Sequence, residues 1–306
     1  MGEYAILVFG HTRPEALQYV LEGLARQNAL ADTQVWVDGH QEDPDLIPFV
    51  LACQALEASY PAAQWHKHGS RCGFLKLFID AVLTNCSQYK WLIILQDDCY
   101  PAPSAVETIL AALREVENDP RIFSVYGHHF GADNEGSETT AFQCWGWGSS
   151  TAKLEPIARE LLRLWTLPEK HALAWIQQNM TPEIRVRMDV FPGRSESKLL
   201  EARLCFDAAV AFLTARGGFI NRRTREPVIH NFGIGARSWH FTNFSDVFLK
   251  PPFNMITRND LVERFALKGL PEHDKLMRWR LERWREHKRA QRRAARTAQT
   301  RPEISS

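Results

Sequence analysis

Trp91–Pro103 reads WLIILQDDCYPAP, and its order of residues sets the frame for the rest of the chain. An apolar run, Trp91–Leu95, leads straight into two adjacent carboxylates, Asp97 and Asp98. A Pro-containing turn follows, and a helical pattern begins near Ser104. A strand buried on both faces of a parallel sheet reads as such a continuous apolar run. Ligands of open α/β sheets bind outside the carboxyl ends of these strands. Two acids there are costly unless they meet a cation, and a divalent ion carrying a substrate diphosphate is one such partner. The plainer alternative is that the two Asp cap the following turn or helix.

The flanking segments repeat the pattern. Tyr4–Phe9 (YAILVF) is a second uncharged apolar run. Gly10–Pro14 follows it, then a helical pattern to about Arg26 with Leu17, Val20, Leu21 and Leu24 on one face. Pro14 suits the first turn of that helix. Gln34–Val37 is expected to be a strand ending at Asp38-Gly39, and Gln64–His66 a third strand. The loop Gly69–Gly73 then leads to a helix over Phe74–Asn85, and Ile122–Tyr126 is a further strand. Strand, loop and helix alternate, which predicts an α/β fold with a mostly parallel, doubly wound central sheet flanked by helices.

With the acid pair in this setting, the first half resembles the GT-A superfamily of nucleotide-sugar glycosyltransferases. The likeness is to the N-acetylglucosaminyltransferase-like branch and related bacterial sugar transferases. That branch carries Glu-Asp-Asp after a strand; here Gln96 replaces the first acid. Cys144–Leu154 (CWGWGSSTAKL) resembles the family's Trp-Gly-Trp segment at the acceptor edge. Cys205–Phe241 resembles a segment with Trp-Asp, a helix, Asn-Ile-Gly and Thr-His. Its equivalents here are Phe206-Asp207, Asn231-Phe232-Gly233 and Trp239-His240, so Asp207, Asn231, Gly233 and His240 match while Phe206 and Trp239 depart. The resemblance runs over about residues 4–245.

The resemblance implies a GT-A (nucleotide-diphospho-sugar transferase) fold and a metal-dependent inverting transfer. Asp98 would hold the metal and Asp97 would lie near the ribose, with His240 as second protein ligand. Imidazole in the ligand set suits softer divalent ions, so Mn²⁺ is expected first and Mg²⁺ second. Asp207 matches the family's general base, which takes the proton of the acceptor hydroxyl. The implied donor is a nucleotide sugar, a UDP-sugar first, and the acceptor a glycan or a lipid-linked sugar.

Other residues carry two readings each. Arg13 is a contact to nucleobase or phosphate, or a solvated helix start. Asp38 sits where the family contacts the nucleoside, though an Asp before Gly39 also suits a turn. The planar guanidinium of Arg71 suits a diphosphate, or its loop is a plain connection. Trp145 and Trp147 offer a stacking platform for an acceptor sugar, with one in the site and one in the core as the expected division. His128 and His129 are expected in a loop behind the site.

Composition bounds the class. The hydrophobic fraction of 45% is near the globular norm, and the apolar runs are too short for a membrane span. No secretory leader is expected, since the first apolar run starts near Met1 without a basic lead or cleavage site, and the six cysteines show no close zinc or redox spacing. A cytoplasmic protein with reduced thiols is expected. The net charge is +1, yet residues 273–306 hold eleven Lys or Arg against four Asp or Glu, or +7, which leaves −6 for the rest. That segment favours a helix, and Trp279 and Trp284 lend it an apolar element. It is either a peripheral contact to anionic lipid or a solvated helix packed by its two Trp; nucleic-acid binding is not expected. The division expected is 1–150 for donor binding, 151–260 for the acceptor half with a helical insertion, and 261–306 for the basic tail. Two alternatives to transfer stand: a non-catalytic sugar-nucleotide binder and a nucleotidyltransferase.

Overall fold

The computed structural model describes residues 2–39, 44, 46–129, 138–188 and 205–231. Gly233, Trp239, His240 and the basic tail lie outside the described residues. The described residues belong to one compact unit.

Five strands and four helices alternate from the start. They are β1 (Gly2–Gly10), α1 (Pro14–Ala25), β2 (Thr33–Val37), α2 (Ile47–Ala55), β3 (Gln64–Lys67), α3 (Phe74–Asn85), β4 (Tyr89–Gln96), β5 (Cys99–Pro101) and α4 (Ala105–Glu115). Then come β6 (Ile122–Tyr126), β7 (Glu138–Thr139), β8 (Trp147–Ser150), α5 (Thr151–Thr166), α6 (Glu169–Asn179) and α7 (Pro182–Met188). The last described elements are α8 (Phe206–Arg216), β9 (Ile220–Arg223) and β10 (Ile229–Asn231).

The main sheet has the order β3-β2-β1-β4-β8-β6-β9-β7. The first four strands are parallel, with Phe9 of β1 opposite Trp36 of β2 and Gln96 of β4. Their apolar runs are continuous because helices cover both faces. Ala5, Leu7, Phe9, Leu92 and Ile94 face α3, α5 and α8, while α4 packs across β4, β6 and β8 from the other side. The α/β class and the predominantly parallel, helix-flanked sheet are as expected.

Two local features refine this. β8 lies antiparallel between β4 and β6, so the second half of the sheet is mixed, within a sheet expected to be mostly parallel. Small residues permit it: a Cβ on Gly148 would come within 2.9 Å of Leu113 on α4. The Pro-containing turn after the acids is also shorter than the sequence suggests. The chain turns at Asp97-Asp98 and enters β5, which pairs antiparallel with β10 in a second, two-stranded sheet. Tyr100 anchors it by stacking on Tyr19 of α1 at 4.3 Å.

The core continues across the expected boundary at residue 150. Trp147 of β8, Phe78 of α3, Phe123 of β6, Phe142 and Phe206 of α8 form one aromatic cluster with α5. This cluster fixes the start of α8 against the end of the sheet that bears the acids.

Candidate active site

The strand register brings the loop after β1 and the loop after β4 out at the same edge. Arg13 precedes α1, and Pro14 opens the helix. Its guanidinium reaches both acids at the end of β4. Nε lies 3.2 Å from Asp97 Oδ2, one terminal nitrogen pairs with Asp97 Oδ1, and the other lies 3.0 Å from Asp98 Oδ2. The side chains of Asp97 and Asp98 are 7% and 6% exposed, that of Arg13 19%. The solvated helix start is therefore not what Arg13 is; it is the cation that the buried acids require.

The balance of charge is incomplete. One guanidinium faces two carboxylates, so the trio carries −1. Burial pushes Asp97 up to about 6; Asp98 adds to the rise, and Arg13 opposes it. Burial works against the charge of Arg13, yet Asp97 and Asp98 together hold its pKa above the ordinary value. Neither acid caps a helix: Ser104, which precedes α4, has no side-chain cap bond.

Two cysteines adjoin the acids. Cys99 Sγ lies 3.7 Å from Asp98 Oδ1, and burial, then the Asp98 charge, raises its pKa. Cys144 is raised by burial first, then by the charges of Asp207 and Asp98. The Cys144 carbonyl lies 3.5 Å from Nε2 of Gln96, which is next to the acids in sequence. No sequence signal singled out these thiols, because their spacing matches no metal or redox motif.

Asp207 lies in the first turn of α8 and is exposed. The helix N-terminus favours its negative charge. The preceding Phe206 is buried, with its ring 4.7 Å from Phe74 and 4.6 Å from Phe78. An apolar anchor thus sets the position of an exposed carboxylate.

Asp38 is buried and heavily engaged. Its Oδ1 accepts from the backbone N–H of Gly39 and of Cys72, each at 2.9 Å, and its Oδ2 from Gly73 N–H at 3.0 Å. Gly73 precedes α3 at φ +85°, a conformation costly for other residues. Asp38 thus ties the end of β2 to the start of α3. Arg71, partly exposed, brings Nε to 4.0 Å from Asp38 Oδ2. His11 Nε2 lies 3.1 Å from the Gly39 carbonyl, so the ends of β1, β2 and the Gly69–Gly73 loop meet.

On the other flank, His128 is buried behind Trp145, with ring centroids 5.0 Å apart in an edge-to-face contact. His230 of β10 stacks on His128 at 5.9 Å. Burial lowers both histidines to about 4, so both are neutral near pH 7. His128 and His129 follow β6 in a loop, as expected, whereas His230 carries no sequence signal, since only the β5–β10 pairing brings it to His128. Of the two Trp, Trp147 is the one in the core, as the expected division allows: it is wholly buried in the aromatic cluster and the platform reading is dropped for it, while Trp145 is half-buried. The two alternate because Gly146, at φ +63° and with no room for a Cβ beside Ile229, turns the chain between them.

Among the described residues, no group of three His, Cys, Asp or Glu is arranged to hold a metal ion. Among the described residues, Asp98 Oδ1 meets the weakly bonding thiol of Cys99, in a trio that is still negative. It fits a cation, though Arg13 holds its other oxygen.

No protein-family model matches this chain, and no curated protein matches it. Solved structures do resemble it. S. aureus TarS 1-349 aligns over 76% of this chain and 60% of its own, at 11% identity and a TM-score of 0.41. A mannosyltransferase from Pyrobaculum calidifontis, solved with GDP-Man and Mn²⁺, aligns over 71% of this chain and 73% of its own, at 13% identity and TM-score 0.40. A 4-diphosphocytidyl-2C-methyl-D-erythritol synthase from Anaerococcus prevotii aligns over 57% and 84%, at 7% identity and TM-score 0.36.

Proposed function

We propose that this chain is a glycosyltransferase moving a sugar from a nucleoside-diphosphate donor to an acceptor hydroxyl. The observation that carries this reading is a buried acid pair at the end of a central strand, held by one arginine and still short of positive charge. Asp97 and Asp98 end β4 under Arg13, and Asp207 stands exposed in the first turn of α8, whose buried Phe206 packs on Phe74 and Phe78. Two kinds of carboxylate environment in one site suit two roles.

On the donor side, the ends of β1, β2 and β4 form the receiving edge. Asp97 would approach the ribose. Asp38 acts through the loop that it clasps, holding Arg71 where a guanidinium can meet a phosphate. A UDP-sugar is the first candidate donor. A divalent ion, Mn²⁺ before Mg²⁺, with Asp98 and His240 as protein ligands, would supply Lewis-acid neutralisation of the leaving diphosphate.

On the acceptor side, Trp145 gives a ring for a sugar face, and a glycan or lipid-linked sugar is the acceptor class. Asp207 takes the proton as the acceptor oxygen attacks the anomeric carbon. The bond to the diphosphate breaks as the new C–O bond forms, and the configuration inverts. Exposure of Asp207 leaves room for the acceptor beside it.

The test is Asp207→Asn, assayed by nucleoside-diphosphate release with an acceptor mixture and by donor binding. Transfer should fall by roughly 10²–10⁴-fold with donor binding kept. A loss of less than fivefold removes Asp207 as the base. Release of pyrophosphate instead of nucleoside diphosphate would favour a nucleotidyltransferase, and donor binding without release in the parent protein a non-catalytic binder.

A further inference from the structure

The Arg13 fork has no role in a site whose acids serve only to hold metal, because it takes three of the four carboxylate oxygens and leaves only Asp98 Oδ1 outside it. Both oxygens of Asp97 and one of Asp98 are committed to it. Its geometry is bidentate on Asp97, the stronger form of guanidinium–carboxylate pairing. It is also enclosed rather than a surface pair, so screening by solvent and salt is limited.

We propose that Arg13 is a resident counter-ion of the Asp97–Asp98 pair, a built-in cation that a divalent metal must displace in order to bind. The inference rests on reading this acid pair as the donor end of the transferase site. Removing the guanidinium alone would leave two buried carboxylates uncompensated, and adding a metal beside it would set two cations together. Neither half of the exchange is favourable alone. A metal that arrives with a donor diphosphate resolves both, since it neutralises the acids and brings the anion that the displaced guanidinium can take. Arg13 thereby makes metal binding depend on nucleotide and keeps the empty site closed to free metal.

The experiment measures Mn²⁺ binding by electron paramagnetic resonance of the free ion, on the full chain, with and without UDP. In the parent protein Mn²⁺ alone should bind weakly, and UDP should tighten it at least tenfold. In Arg13→Gln, Mn²⁺ alone should bind at least tenfold tighter than in the parent, and UDP should add correspondingly less. The added binding should vanish in the Arg13→Gln, Asp98→Asn double variant. Arg13→Lys, which keeps the charge but not the fork, gives a second reading should Arg13→Gln fail to fold. It should bind Mn²⁺ at least threefold tighter than the parent. Equal affinity for free Mn²⁺ in parent and folded variants overturns the proposal, as does a parent that binds Mn²⁺ tightly without UDP. Absence of sugar transfer in the parent would instead sink the glycosyltransferase reading while leaving these affinities interpretable.

Discussion

Asp38→Asn separates a clasp from a plain nucleoside contact, and its size can be worked from three hydrogen bonds. The carboxylate accepts from Gly39 and Cys72 through Oδ1 and from Gly73 through Oδ2. An Asn amide has the same shape but only one acceptor oxygen. With that oxygen at the Oδ1 position, its NH₂ confronts the Gly73 N–H, donor against donor. Flipping the amide moves the conflict onto two N–H groups, so the first arrangement is retained. One charge-assisted bond is lost, at about 1.5–3 kcal/mol. The negative charge at the start of α3 goes too, removing a further ~0.5–1 kcal/mol. A net loss of about 2–4 kcal/mol corresponds to a melting point lower by roughly 4–16 °C for a domain near this size.

The assay pairs thermal unfolding with amide exchange at Cys72, Gly73 and the first turn of α3. Those amides should lose protection while β1 and β4 keep theirs. Alkylation of Cys72 gives an independent readout. Burial and then the Asp38 charge hold this thiol up at about 12. Removing the charge should speed its modification, though burial still slows it. An unchanged melting point together with unchanged exchange at Cys72 and Gly73 would show that the carboxylate does not hold the loop, and the argument that Asp38 positions Arg71 would fall with it.

Phe206→Ala removes a buried ring from Phe74, Phe78 and Phe142, and should cost about 3–5 kcal/mol; Phe206→Leu should recover most of the stability and, with it, transfer, as chemical denaturation and nucleoside-diphosphate release would report. His128 and His230 are held near 4, chiefly by burial. The unfolded chain protonates them near 6.5, so the native state binds fewer protons between those values, and stability is complete above about pH 6.5 and falls as pH drops towards 4. Up to about 3 kcal/mol per histidine is involved; a urea midpoint equal at pH 7.5 and pH 4.5 in the parent, or a fall that persists undiminished in His128→Phe, would contradict it. The full chain should co-sediment with anionic vesicles and not with zwitterionic ones, and should release in high salt; binding indifferent to lipid charge would leave the basic tail as a solvated helix.

How much was legible follows from the range of each interaction. Helix Phe74–Asn85 and strand Ile122–Tyr126 are observed with the bounds read from the sequence, because their apolar spacing is local and strong. β1 and β4 extend beyond their apolar cores, since neighbouring parallel strands pair the polar ends as well. β8 was not legible as an antiparallel insert: WGWGS carries no sign of the direction in which it will pair. Trp145 and Trp147 differ in burial by one turn of backbone at Gly146, which the sequence hints at only through a glycine. The partnership of Arg13 with Asp97 and Asp98 spans 84 and 85 residues of chain, and no local pattern encodes it. The same holds for His128 with His230, brought together by β10 pairing on β5.

The acid pair illustrates why a motif underdetermines its chemistry. Two adjacent Asp at a strand end require positive charge, and the sequence offers both a metal and an arginine to supply it. The fold supplies Arg13, because the register of β1 on β4 delivers the residue after Gly10–Thr12 to the end of β4. Yet one guanidinium against two carboxylates leaves Asp97 raised to about 6 by burial even with Arg13 in contact. A site satisfied by its own residues would be inert. A site still short of positive charge retains a demand for a cation, and under the proposed transfer that demand would be met by the substrate complex while Asp207, exposed in the first turn of α8, would take the acceptor's proton.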